Sequence, residues 1–172
     1  MTLVVGDALD IEAFAELYAR LRDPLFAYAV ALMLDGAAAE DVVQRSFELA
    51  FAKRTAFRPG RGTADAWLFA IARNVAFDER RRRRRHAPAV ASPAAEDNGG
   101  PDLGLECAEQ RIVVFPALRA LDPLDREAIA LKYWADLSNR EIGAVLGYSE
   151  SNVGTRLHRA LHKLRELCDE AA

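Results

Sequence analysis

Apolar residues recur along this chain at the three- and four-residue steps of a helix, and no segment shows the two-residue alternation of a strand. Phe14, Leu17, Tyr18 and Leu21 form a first stripe. Asp23-Pro24 marks a turn or a restart, after which Leu25, Tyr28, Ala29 and Leu32 continue a second apolar face. Asp35-Gly36 breaks the chain. Glu40 to Lys53 then reads as a third helix, with Val43, Phe47, Ala50 and Phe51 inward and Glu40, Asp41, Gln44, Arg45 and Glu48 outward. The Gly- and Pro-rich loop FRPGRG runs from Phe57 to Gly62. Thr63 can cap a fourth helix that carries Trp67, Leu68, Ile71 and Val75 and runs outward into an arginine tract, Arg80 to Arg85.

Residues 86–105, HAPAVASPAAEDNGGPDLGL, hold little that could bury itself and read as a flexible linker. A helix is expected near Glu106–Ala120, where Pro116 should kink it or delay its start. Asp122-Pro123 opens another, with proline at the first helical position and Leu124, Ile129, Leu131, Tyr133 and Trp134 as its apolar residues. The run LSNREIGAVLGYSESNVGTRLHRALHKLR, Leu137 to Arg165, follows as two helices across a tight turn. Ser138 and Glu141 have the spacing of a capping box, and Ile142, Val145 and Leu146 give the first helix its apolar face. Gly147 stands where a left-handed residue is needed, and Ser149 can cap the second helix, with Val153, Leu157, Leu161 and Leu164 inward. The opposite face carries Asn152, Thr155, Arg156, Arg159 and Lys163. The fold class is therefore all-α: two small helical domains, 1–85 and 106–172, joined by the linker 86–105, with a helix-turn-helix in the second.

Charge sharpens this picture. The chain's 172 residues carry a formal net charge of -3, yet Ser151 to Arg165 contains four Lys or Arg and no acid. A cationic face on one helix of an acidic protein is an electrostatic footprint for phosphate. An ordinary amphipathic hairpin shares the apolar periodicity, but has no need of an acid-free outer face. Six adjacent arginines repel one another, so Arg80–Arg85 also points to a polyanion.

Other chemistry finds no support. No run approaches the ~20 apolar residues that span a bilayer, and MTLVVGDALD has no positive flank, so neither membrane insertion nor a signal peptide is expected. Cys107 and Cys168 form no CxxC pair and fit reduced thiols in a cytoplasmic protein. His158 and His162 are four apart, but no third ligand completes a metal site, and Trp67 and Trp134 sit on apolar stripes and belong to the core. There is no phosphate loop, nucleophile elbow or paired carboxylate, so no catalytic residue, cofactor or enzymatic activity is expected.

Three runs resemble the extracytoplasmic-function sigma factors of bacterial RNA polymerase. AEDVVQRSFELAF (Ala39–Phe51) is similar to the family helix that docks on the β′ clamp helices. AWLFAIARNVAFDERRR (Ala66–Arg82) is similar to the helix that meets the promoter −10 element, and Leu121–Arg165 to the −35-binding domain. The resemblance implies that Asp41, Gln44 and Glu48 face core polymerase. It places Arg58 and Arg61 in a loop that opens the duplex, and Asn74, Asp78, Arg81 and Arg82 on the −10 side of the fourth helix. It places Ser151, Asn152, Thr155, Arg156, Arg159 and Lys163 on the −35 element. The implied function is an alternative, stress-responsive sigma factor. Its partners would be core RNA polymerase (β′ clamp helices and β flap), promoter DNA and an anti-sigma factor that holds it inactive. The family has no habitual six-arginine run. Two other readings remain: a polymerase-independent helix-turn-helix operator-binding regulator, and a helical adaptor without DNA contact. The polar outer face of Ala39–Phe51 discriminates against the first, the acid-free face of Ser151–Arg165 against the second.

Overall fold

The computed structural model describes residues 9–86 and 108–171, which are helical with no strand among them. The linker 86–105 and Cys107 lie outside these residues, apart from His86, which ends a helix. Helix α1 (Ile11–Met33) starts at Asp10, whose Oδ1 accepts from the Ala13 N–H at 2.7 Å. It runs unbroken through Pro24, against the expected restart. A proline inside a helix costs about 3 kcal/mol. Leu21, Leu25 and Tyr28 on either side are 3%, 0% and 0% exposed, and each such burial contributes about 1.5–3 kcal/mol, so the uninterrupted helix wins.

The expected break at Asp35-Gly36 is displaced by one residue. Leu34 adopts the left-handed conformation, φ 55°, and its N–H donates to the Val30 carbonyl. Asp35 then caps α2 (Gly36–Lys53), accepting from the Ala38 N–H at 3.0 Å, so this helix begins four residues before the expected Glu40. Its buried face is Val42, Ser46, Phe47 and Ala50. The Ser46 hydroxyl escapes a desolvation penalty by donating to the Val42 carbonyl at 2.6 Å. Phe51, expected inward, is 42% exposed and meets Phe14 edge-on at 5.2 Å.

Two short 3-10 turns, Arg54–Ala56 and Pro59–Arg61, lead to α3 (Ala64–His86), where Thr63 Oγ1 accepts from the Ala66 N–H. Leu68, Phe69, Ala72, Val75 and Ala76 bury α3 against α1 and α2, and Phe69 meets the Tyr28 ring edge-on at 5.2 Å. In the second half, α4 (Ala108–Ala120) continues across Pro116, which is exposed. Asp122 caps α5 (Pro123–Tyr133) as expected, and α6 (Asn139–Leu146) and α7 (Glu150–Ala171) complete the chain. One buried core joins the two halves: α5 packs on α1 and α6 on α3.

Candidate nucleic-acid interface

The helix-turn-helix is built from local chemistry. The Ser138 hydroxyl accepts from the Glu141 N–H while the Glu141 carboxylate accepts from the Ser138 N–H at 2.8 Å, the two halves of a capping box. Gly147 takes φ 78° and closes α6 with a bond to the Gly143 carbonyl. Ser149 Oγ accepts from the Asn152 N–H and starts α7. Gly143, which periodicity and capping do not single out, is the closest point of the crossing: a Cβ there would lie 2.5 Å from the Tyr148 carbonyl oxygen. Its only sequence signal is a glycine inside an amphipathic helix, where glycine is otherwise unfavourable.

Helix α7 buries Val153, Leu157 and Ala160 and exposes Ser151, Asn152, Thr155, Arg159 and Lys163 along one side. Arg156 departs from the expected free face. Its Nη1 donates to Asp125 Oδ1 of α5, its guanidinium lies 5.6 Å from the Tyr148 ring centroid, and its Nε is buried without a partner among the described residues. The physical reason is its place at the border of the stripe, one turn above Asn152 and one below Ala160. There the acid of α5 and the ring of the turn reach it before solvent does.

The second basic surface lies on α3 and the loop before it. Arg58 and Arg61 are exposed, Arg58 donating to the Thr55 and Phe57 carbonyls. Beside them a cleft of about 920 Å³ opens between Phe57, Trp67 and the loop on one wall and Arg140 and Glu141 of α6 on the other. Trp67 packs on Phe57 at 5.4 Å and Trp134 packs against the core. Asn74 and Asp78 are exposed, and Asp78 pairs with Arg81 at 3.1 Å in full solvent, a contact of little energetic weight.

The arginine tract is not six equivalent cations. Arg82 and Arg83 both donate to Glu79, a carboxylate 4% exposed, and Arg83 also reaches Asp35 at 2.9 Å. These hydrogen bonds, Arg82 first and Arg83 next, hold the Glu79 carboxyl down at about 2. Arg82, expected on DNA, is paired with Glu79 of its own helix and remains exposed. Arg84 and Arg85 are exposed and have no such tie among the described residues. The signal was present in the sequence, because Glu79 stands three and four residues before Arg82 and Arg83.

On α2, Asp41, Gln44 and Glu48 are exposed, with Gln44 Nε2 donating to Glu48 Oε1 at 2.9 Å. Gln44 and Glu48 rim a groove whose floor is aromatic and aliphatic: Tyr18, Phe26, Val43 and Phe47. A polar rim over an apolar floor is the chemistry of a protein-docking surface. Among the described residues no three His, Cys, Asp or Glu side chains converge as metal ligands, and no helix is long and apolar enough to cross a membrane.

Comparison with known proteins places the chain in a family. The sigma-70 region 2 model matches residues 17–86 and the sigma-70 region 4 model matches 117–164. The RNA polymerase sigma factor CarQ of Myxococcus xanthus is 35% identical over 167 residues, covering 92% of this chain and 91% of its own. The ECF RNA polymerase sigma factor SigL of Mycobacterium tuberculosis is 34% identical over 143 residues, covering 82% of this chain and 80% of its own. The chain belongs to the extracytoplasmic-function sigma factors of RNA polymerase. Its fold resembles the sigma factor RpoE of Bartonella quintana, solved in complex with the anti-sigma factor NepR, at a TM-score of 0.71 and 29% identity. That likeness covers 92% of this sigma factor and 98% of the solved chain. As members of a family of transcription regulators, such chains select where polymerase starts rather than catalyse a reaction of their own.

Proposed function

We propose that α7 meets the −35 element with Ser151, Asn152 and Thr155 toward base edges and Arg159 and Lys163 toward phosphates. The loop 57–63 and the outer side of α3 then meet the −10 element through Arg58, Arg61, Asn74, Asp78 and Arg81. Asp41, Gln44 and Glu48 dock on the β′ clamp helices of core polymerase, region 4 meets the β flap, and an anti-sigma factor holds the chain inactive in the cytoplasm until a stress signal releases it. The observation that carries this reading is the row of exposed, acid-free polar and cationic side chains on α7, held on a two-glycine crossing. The anti-sigma factor is supported by the likeness to a sigma factor solved with one bound.

In vitro transcription with core polymerase on a promoter library tests the reading. The chain should confer initiation at a defined promoter class. Lys163→Ala should weaken all promoters alike and Asn152→Ala should change their ranking. Asp41→Arg with Glu48→Arg should abolish capture of core polymerase while leaving helicity intact. Capture unaffected by that double change would remove α2 from the polymerase interface.

A further inference from the structure

One cation on α7 is held at two points rather than left to solvent. Arg156 donates through Nη1 to Asp125 Oδ1 of α5, and the two side chains are 24% and 21% exposed. The Tyr148 ring lies under the same guanidinium, its centroid 5.6 Å from the central carbon. Nε is buried and hydrogen-bonds to nothing among the described residues. The second amino group, Nη2, is left unspent there. Asp125 stands in the first turn of α5, where the helix dipole favours a negative charge. Asp125, Tyr148 and Arg156 all belong to region 4, so the cluster is complete without region 2.

Stability alone does not account for this arrangement. A half-buried ion pair returns much of its attraction as lost hydration. The unpartnered Nε adds a desolvation cost that no bond repays. Arg156 also stands one turn from both Asn152 and Arg159, so its partner carboxylate sets a negative charge beside a surface proposed to meet a polyanion. A helix built for raw affinity would leave that acid out.

We propose that Asp125 is a specificity-determining positioning residue, which withholds Arg156 from the DNA phosphates and leaves it a single amino group, Nη2, for the promoter. The proposal rests on the promoter-recognition reading above. An unrestrained arginine swings to the nearest phosphate or forks onto guanine with two donors. Here Nη1 is taken and Nε is buried, so neither fork is available while the pair is intact and a one-point contact remains. Tyr148 covers one side of the guanidinium and narrows the arc through which it can turn. Phosphate contacts give affinity without sequence information, whereas base edges discriminate. Restraining one cation therefore exchanges general affinity for selectivity.

The test pairs two measurements on the full chain. Binding of the free chain to a random-sequence DNA duplex across a salt series reads phosphate contacts. Asp125→Ala should steepen the slope of log K against log salt by about 0.9, the value of one phosphate gained. Asp125→Ala combined with Arg156→Gln should show no steepening, which ties the effect to the released guanidinium. Asp125→Asn, which keeps the shape and removes the charge, serves as the second variant if the alanine lowers the melting temperature into the assay range. Holoenzyme formed with core polymerase on a promoter library then reads selectivity. Asp125→Ala should narrow the spread of promoter occupancies about tenfold, and Asp125→Glu should recover part of it. A melting temperature that moves while slope and ranking stay fixed makes the pair structural and overturns the proposal. Equal steepening in the double variant assigns the effect to the lost acid and overturns it too. A responsive slope without a defined promoter class keeps the restraint and removes the promoter reading, while a defined class with unresponsive slope and ranking removes only the restraint.

Discussion

At the scale of single residues, the structure redistributes roles among charges that look alike in sequence. Arg159 and Lys163 are exposed on α7, whereas Arg156 is tied to Asp125 and laid on Tyr148. Glu79 is the least conspicuous charge beside six arginines, yet it organises two of them. Its carboxyl sits at about 2 against an ordinary 4.5, so its contribution to stability is complete above about pH 4.5 and fades as pH falls toward about 2. Denaturant midpoints of the wild type should drop through that window more steeply than those of Glu79→Gln; parallel acid limbs would show that Glu79 is not held this way. Gly143 makes a different demand. Its missing Cβ lets the turn carbonyl of Tyr148 sit against α6. Gly143→Ala should destabilise region 4 by about 1–3 kcal/mol through backbone displacement, read as a lower melting temperature. An unchanged melting temperature would mean that the crossing has slack.

At the scale of elements, capping was the most legible signal. Thr63, Asp122, Ser138 and Ser149 all start helices where their side chains can accept an orphan N–H, and no distant partner is needed to see it. Proline was the least legible. Pro24 and Pro116 each sit inside a continuous helix, because a local penalty of about 3 kcal/mol competes with a burial gain visible only in three dimensions. The end of α3 illustrates the same limit for function. Six adjacent arginines suggest a continuous grip on phosphate, but two are engaged with Glu79. Replacing Arg84 and Arg85 with Gln should therefore lower the slope of log K against log salt for promoter DNA by up to about 0.9 for each phosphate no longer neutralised. Replacing Arg82 and Arg83 should act mainly on stability. A large slope change from the second pair with none from the first would reverse this assignment.

At the scale of the whole molecule, the two regions are coupled through α1, α3, α5 and α6. Thermal unfolding of the wild type should appear as one cooperative transition, and Glu127→Gln should lower its midpoint, since Glu127 Oε1 accepts from both Tyr28 and Arg73 across the shared core. A wild type that already melts in two steps would show that the shared core is too weak to couple them.

The sequence alone determined the helical character, the two-region order, the helix-turn-helix and its exposed polar row. Each of these rests on interactions within a few residues: apolar spacing, side-chain caps and a glycine turn. The path of α1 through Pro24, the capture of Arg156 by Asp125, and the joining of Tyr28 and Arg73 with Glu127 were decided by tertiary structure. The side-chain pairs among them bring together residues 31 to 99 positions apart. Their geometry exists only once helices have packed, and the burial that makes them matter exists only then too.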